Sequence, residues 1–478
     1  MEPNKDFSEI VEEKKEYLDQ TFRDSVATIG KKGERKYLFP KQPRGKLYNW
    51  RTLASIVYLG IFFGLPFIKI HGRPLFLFNV LERKFIFFGQ VFWPQDFFIF
   101  AIGLLTFMVF IILFTVVFGR IWCGWACPQT VFMEMVFRKI DYWIDGDSNE
   151  QRKLKEMPWN GLKLRKRATK MALYYFISFI IANFFLAYVI GMDSVLAMVR
   201  EGVNANMGTF VSLLGFSTVF FFVFYWFREQ VCIVVCPYGR LQGVLLDKKS
   251  IVVAYDYVRG EPRGKAKKDE AAEEHGDCID CGACVRVCPT GIDIRNGTQL
   301  ECVNCTACID ACNDIMAKIN KPLGLIRYES EEHIAHSTKS KFNWRIAGYS
   351  TVLTILLGVL AVLLITRDVV DARILRAPGQ IFQTLPDGRI SNLYNIKLAN
   401  KTRYDIPVEL KLENIKGEIM LINKDMVVEK ESYFLAPFFV KIDSALIKER
   451  TTKIQLGLYE KGKKFRTITT TFLGPGYY

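Results

Sequence analysis

Five apolar runs constrain this chain more than any other feature. Residues 52–70, 97–119, 171–192, 207–227 and 346–366 are each about 20 residues of mostly apolar sequence with few charges, long enough for a helix to cross a bilayer core. A soluble core can bury one such run. Five in a chain of 478 residues, half of them hydrophobic, predict a membrane protein. The first fifty residues are charged and the first apolar run is too long for a signal core, so no cleavable signal peptide is expected. Residues 1–35 read as a solvated tail or short helix.

The formal net charge is +15, which in a soluble chain would point to nucleic acid. Its placement points to topology instead. Lys31, Lys32, Arg35, Lys36, Lys41, Arg44, Lys46 and Arg51 precede the first run. Lys163, Arg165, Lys166, Arg167 and Lys170 precede the third, and Lys339, Lys341 and Arg345 the fifth. Cytoplasmic flanks carry such an excess. The pattern predicts a cytoplasmic tail (1–51), four helices (52–227), a cytoplasmic loop (228–345), a fifth helix (346–366) and an external domain (367–478). Arg73, Arg83 and Lys84 in the 71–96 loop weaken the pattern without reversing it, and Phe92 and Trp93 there fit a membrane interface. No nucleic-acid partner is expected.

All twelve cysteines precede Asn313 and fall on the predicted cytoplasmic side, where disulfides rarely persist and metal or redox work is the better reading. Eight of them form two C-x2-C-x2-C-x3-C runs: Cys278, Cys281, Cys284, Cys288, then Cys302, Cys305, Cys308, Cys312. At this spacing three thiolates of one loop grip one [4Fe–4S] cube and the fourth crosses to the other cube. The expected sets are Cys278, Cys281, Cys284 and Cys312 for one cluster, and Cys302, Cys305, Cys308 and Cys288 for the other. Structural zinc favours two separated pairs and is the weaker reading. Gly282 and Ala283, like Thr306 and Ala307, keep the loops small. The second run ends in Asn313 where the first has Pro289, which leaves its local turn open. A two-cluster ferredoxin-type region is expected over about 270–322. The charged stretch RGEPRGKAKKDEAAEEH before it reads as a flexible linker or exposed loop.

The remaining cysteines repeat a second motif. RIWCGWACPQT and REQVCIVVCPYG each follow an apolar run with an arginine (Arg120, Arg228), a cysteine, three residues and Cys-Pro. Cys123 and Cys127, and Cys232 and Cys236, are spaced to share a helix face, with Pro128 and Pro237 ending or bending the helix. If the helix ends are neighbours, four thiols meet near the cytoplasmic face. They can be buried small hydrophobes, a Cu(I) site, a redox dithiol or the ligands of a third iron–sulfur centre. The four histidines, His71, His275, His333 and His336, all lie outside the apolar runs, so two-histidine haem ligation within the bilayer is unavailable.

After residue 366 the pattern changes to short strands. VELKLEN sets Val408, Leu410 and Leu412 on one face, NIKLANKT turns Ile396 and Leu398 inward, and 453–472 reads as two strands around a Lys461–Gly462–Lys463 turn. An all-β sandwich of immunoglobulin type is expected, with docking or scaffolding as its role.

The tandem cysteine runs between the fourth and fifth spans, the two C-x3-C-P motifs, the β-rich tail and the stretches RGKLYNWR, LFNVLERKFIFFG and FWPQD together resemble a bacterial family, the cytochrome c oxidase accessory proteins called CcoG, FixG or RdxA. The resemblance covers nearly the whole chain. It implies a multi-pass inner-membrane polyferredoxin with a periplasmic immunoglobulin-like domain. It further implies reduction of Cu(II) to Cu(I) for maturation of cbb3-type cytochrome oxidases, with Cys123, Cys127, Cys232 and Cys236 touching copper. The partners expected are the membrane, copper ions, oxidase assembly factors, an unidentified cytoplasmic electron donor and a second copy of the chain. Two other readings stay open: a quinol-linked respiratory electron-transfer module, and a non-catalytic assembly scaffold.

Overall fold

A computed structural model describes residues 7–17 (for 7–10 the backbone alone), 27–30, 32, 34–80, 82–93, 96–264, 275–336, 344–367, 370–379, 381–402, 404–422, 426–430, 432–447 and 449–475. The chain divides into two compact units, one of residues 1–79 and 101–358, the other of 80–100 and 359–478. Lys339, Lys341, Pro94, Gln95 and most of the predicted linker lie outside the described residues.

Among the described residues five helices are long and apolar enough to cross a membrane: Lys46–Phe67, Phe97–Phe118, Gly161–Ile190, Met207–Phe227 and Trp344–Ile365. They coincide with the five apolar runs, with shifted ends. The first begins six residues before the apolar run because polar groups outside the helix satisfy its leading N–H donors. It ends at Phe67, where Pro66 tightens the last turn, and Lys69–Ile70 pair as a strand with Arg73–Pro74. The third begins at Gly161, where the Asn160 side chain accepts from the Lys163 N–H at 2.8 Å. The stretches at both C-x3-C-P motifs wind as π-helix, Val131–Phe137 after the first, Val223–Phe227 before the second and Val231–Val235 within it. Such wide turns often mark functional sites.

The helical core is aromatic. Phe137 stacks on Phe224 at 4.4 Å and leans on Tyr174 at 4.7 Å, and Phe137 and Tyr174 are fully buried. The cysteine runs sit against an antiparallel pair, Val252–Tyr255 with Ile326–Glu329, whose inner residues Val253 and Ile326 are 1% exposed.

Of the two readings of the N-terminal stretch, the short helix is the one found, Phe7–Glu16, with its Val11 buried in the core of the cysteine-rich region. One sequence expectation in this unit is corrected. The linker is not loose from its start. Arg259 pairs with Asp277 at 2.6 Å, and Glu261 is buried and accepts from the Tyr255 hydroxyl at 3.1 Å. Charge-rich composition hid these partners, which are distant in sequence.

The second unit is all-β apart from its helix ends. One sheet runs Gly417–Leu421, Tyr433–Asp443, Arg389–Asn400, Val370–Arg376, with Gln383–Thr384 also on Arg389–Asn400. A second runs Glu409–Leu412, Thr451–Glu460, Lys463–Leu473, and Ile406–Pro407 pairs separately with Val427–Val428. Alternation decides the core: Tyr394, Ile396 and Leu398 point inward from one sheet, Ile454, Leu456 and Leu458 from the other, all fully buried. The Tyr394 hydroxyl donates to Thr471 O at 2.8 Å and ties the sheets together. Trp93, expected at a membrane interface, is instead buried edge-on against Tyr433 at 4.4 Å. Asp96 beside it is clamped by Arg367 and Lys401, each at 2.6 Å.

Candidate functional site

The two cysteine runs fold as near copies. In each, the residue two after the first cysteine is left-handed, Asp280 and Asn304, and so is the residue after the second cysteine, Gly282 and Thr306. These turns aim successive thiols into one space. Glycine adopts them freely; a β-branched threonine at φ 66° does so against its preference. A short helix then begins, Ala283–Arg286 or Ala307–Lys318.

The open question at Asn313 has a structural answer. Pro289 cannot continue a helix, and the first run turns away after Cys288. Asn313 keeps its N–H, so the second helix runs through Cys312 to Lys318. The Asn313 side chain accepts from the Gly324 N–H at 2.9 Å, joining this helix to the turn before strand Ile326–Glu329.

The fold brings the fourth cysteine of each run near thiols of the other run. Cys312 lies within electrostatic reach of Cys278 and Cys281, and Cys284 of Cys312 and Cys278. Cys302 lies within reach of Cys305 and Cys288, and Cys308 of Cys305, Cys302 and Cys288, and also of Cys284 from the first run. Burial pushes the Cys284, Cys302 and Cys312 thiols up to about 12 and Cys305 up to about 11. Without a metal such thiols keep their protons, and a metal that binds must displace them. Four thiolates on one zinc would stand about 3.8 Å apart, given a Zn–S bond of about 2.3 Å. Among the described residues no three Cys, His, Asp or Glu side chains are gathered to hold a single metal ion. Five of the cysteines, Cys284, Cys288, Cys302, Cys305 and Cys308, instead border one cavity with Val253, Ile292 and Ile294. A soft, all-sulfur, apolar-walled set wider than a single ion fits an iron–sulfur cube.

The two C-x3-C-P motifs also come together. Cys123 lies within electrostatic reach of Cys127 and Cys236, and Cys232 of Cys127, Cys123 and Cys236. The pairs do not share one continuous α-helical face, as the spacing predicted. Cys123 sits on the short helix Ile121–Trp125, while Cys127 is extended at ψ 124° and Pro128 opens a new helix. Cys236 is likewise extended before Pro237. A residue before proline is pushed out of the helical region, so each motif presents its thiols from a break between two helices.

Arg120 is the hub of this assembly. Buried to 4% exposure, it donates Nε–H to Gln242 Oε1 at 3.1 Å, Nη1–H to the carbonyls of Leu300 and Cys302, and Nη2–H to Gly239 O. Gln242 Oε1 also accepts from the Cys123 thiol at 3.0 Å. One guanidinium thus binds the first motif to the helix after the second motif and to the second cysteine run. Gly124 makes the contact closer still: a Cβ there would lie 2.4 Å from Val303 O and 2.8 Å from Asn304 O.

The second arginine, Arg228, is locked differently. It has φ 53° and pairs with Asp141, which Lys170 and the Tyr174 hydroxyl also reach at 2.6 Å. Burial alone would raise the Asp141 carboxyl; Arg228 and Lys170 outweigh it and hold it below the usual carboxylate range. Arg138 links Glu134 at 2.9 Å and Glu229 at 3.5 Å. Removing one member of such a buried network costs about 3–5 kcal/mol. Lys170 and Arg51, counted from sequence as topology charges, are both buried structural cations. Their helical neighbourhood gave no local sign of that, although Arg51 ends the stretch RGKLYNWR.

Comparison with known proteins agrees with this geometry. Residues 227–331 match a 4Fe-4S dicluster domain, residues 100–146 a 4Fe-4S binding domain, and residues 360–475 the Ig-like fold at the C-terminus of FixG. The chain is 37% identical over 383 residues to protein RdxB of Cereibacter sphaeroides, which covers 77% of this chain and 80% of that one. It is 35% identical over 431 residues to the nitrogen fixation protein FixG of Rhizobium meliloti, covering 81% of each. Protein RdxA of Cereibacter sphaeroides is 34% identical over 394 residues, 80% of this chain and 83% of that one. With likeness of this extent joined to apolar spans, paired cysteine loops and an Ig-like domain, the chain belongs to the FixG family of iron–sulfur membrane electron-transfer proteins.

Proposed function

We propose that this protein takes single electrons from a cytoplasmic donor and delivers them to Cys123, Cys127, Cys232 and Cys236, where Cu(II) is reduced to Cu(I) for assembly of a cbb3-type cytochrome oxidase. Cys278, Cys281, Cys284 and Cys312 hold one [4Fe–4S] cluster, and Cys302, Cys305, Cys308 and Cys288 the other. A bound cluster of this kind supplies one-electron transfer. Cu(II) gains one electron and no proton, so the chemistry asks nothing further of acids or bases at the site.

The observation that carries this reading is the junction at Gly124, where the first membrane-end motif lies directly on the backbone of the second cysteine run. Electron transfer needs short separations, and Arg120 and Gly124 hold the thiols against that run. Soft thiolates favour Cu(I) over Cu(II). The excess of flanking Lys and Arg supports a cytoplasmic position for the cysteine runs and a periplasmic one for the Ig-like domain, in a bacterial inner membrane.

The test uses full-length protein purified anaerobically, loaded with iron and sulfide, reduced and freed of excess reductant. Mixed with Cu(II) and a Cu(I)-specific chelator, wild-type protein is expected to bleach and form Cu(I) in step. The double variant Cys123→Ser/Cys127→Ser is expected to keep its iron–sulfur absorbance and lose Cu(I) formation. Copper reduction at the wild-type rate in that variant would show that the thiols are not the copper site.

A further inference from the structure

The stretch RGKLYNWR, residues 44–51, has no part in the electron-transfer reading so far. In the fold it is a strap between the first span and the second cysteine run. The N–H groups of Leu47 and Tyr48 donate to the Asp310 carboxylate at 3.2 and 2.8 Å, and Asp310 lies between Cys308 and Cys312. The carboxylate thus caps the helix Lys46–Gly64 and complements its dipole. A side chain at Gly45 would collide with Asp310, so the strap closes only on glycine.

One turn further on, Arg51 is 2% exposed and donates Nε–H to Gly124 O at 2.7 Å. Gly124 is the residue that touches Val303 and Asn304. Arg51 Nη2 has no hydrogen-bond partner among the described residues, and leaving a buried donor unsatisfied is costly. The positive charge reaches the Cys305 thiol, where it opposes the effect of burial; Glu134 acts the other way more weakly, and it is itself paired with Arg138 at 2.9 Å. Beside the other cysteine set, Arg286 donates to Cys281 O at 2.8 Å but is exposed to solvent, which screens its charge, and the two less exposed cations are neutralised. Arg295 pairs with Asp280 at 2.5 Å and Asp293 at 2.6 Å, and Arg259 with Asp277 at 2.6 Å.

We propose that Arg51 is a potential-setting residue: its buried, unneutralised guanidinium raises the reduction potential of the site formed by Cys302, Cys305, Cys308 and Cys288 above that of its neighbour. Reduction adds negative charge, and a nearby unpaired cation in a low-dielectric surround stabilises it. Arg51 thereby makes this site, the one in contact with the first motif through Val303 and Asn304, the site from which the membrane-end thiols are supplied. The inference rests on the electron-transfer reading above.

The test is an EPR-monitored redox titration of full-length protein loaded anaerobically with iron and sulfide, without copper. Arg51→Gln is expected to lower one of the two midpoint potentials and leave the other in place. The equilibrium between the sites should shift on the order of tenfold, or about 59 mV for a one-electron couple. Arg51→Lys, which keeps the charge, is expected to recover most of that shift. Two unshifted potentials in Arg51→Gln with full iron content overturn the role. If Arg51→Gln fails to hold its iron, Arg51→Lys decides: wild-type spacing of the potentials supports the role, and collapsed spacing overturns it. Wild-type iron that never changes oxidation state would overturn the electron-transfer reading too, a result distinct from intact titration without a shift.

Discussion

After Cys288 the chain meets Pro289 and its short helix, Ala283–Arg286, has already stopped; after Cys312 it meets Asn313 and the helix Ala307–Lys318 continues. The first run borders Arg259 and Arg295, cations paired with aspartates, and Arg286, a solvent-exposed cation on the Cys281 carbonyl. The second borders Arg51 and Arg120, buried cations bonded to carbonyls. Identical cysteine spacing therefore sits in two different electrostatic surroundings. Ligand spacing determines what a loop can bind, and the groups around it determine which of two like sites takes or gives an electron more readily.

The comparison is broken most severely by removing a ligand that crosses between the runs. Cys288→Ser is expected to cost about four of about eight irons per chain, and the EPR signal it loses should be the one that Cys305→Ser loses. Cys312→Ser should share its lost signal with Cys281→Ser. If Cys288→Ser and Cys281→Ser lose the same signal, the exchange of fourth ligands is wrong.

Making the second run look like the first comes next. Asn313→Pro breaks the middle of a helix and the bond to Gly324 N, at a cost of about 3 kcal/mol or more. Pro289→Ala follows a helix that has already ended and should cost far less. Chemical denaturation of the solubilised protein, read by iron release, compares the two; equal losses would mean that the helix through Cys312 is not structural.

The smallest effect sharpens the contact that only the second run makes. Gly124→Ala drives a methyl group into the Val303 and Asn304 carbonyls, an overpacking cost of about 1–3 kcal/mol. Gly215→Ala, with nothing within 4 Å of the added carbon, should be neutral or slightly stabilising for a helix. Thermal unfolding with both variants side by side tests the pair, and the same melting temperature in both would deny the close approach.

Much of this arrangement could be read from sequence because it rests on local periodicity. The five spans follow from apolar runs, the inward Ile396 and Leu398 from alternation, and the cluster chemistry from C-x2-C-x2-C-x3-C spacing. Errors gathered where a residue's partner is remote in the chain. Lys170 read as a flanking charge until Asp141 and Asp145 were found beside it, both within 2.7 Å. Trp93 read as an interface anchor until Tyr433 covered it. The C-x3-C-P pairs read as helix faces because spacing alone does not weigh the backbone restriction before proline against helix continuity.

The order of amino acids by itself determined that this chain crosses a membrane, carries two four-sulfur loops and ends in a β-rich domain, because hydrophobic length, thiol spacing and strand alternation are properties of neighbouring residues. Only the tertiary structure decided that the two C-x3-C-P motifs converge, that the first of them rests on the second cysteine loop, and that Arg51 and Arg120 lie at that junction. Those contacts join residues up to 182 positions apart. Burial and charge at such a junction come from the packing of several segments at once, and no single stretch of sequence contains them.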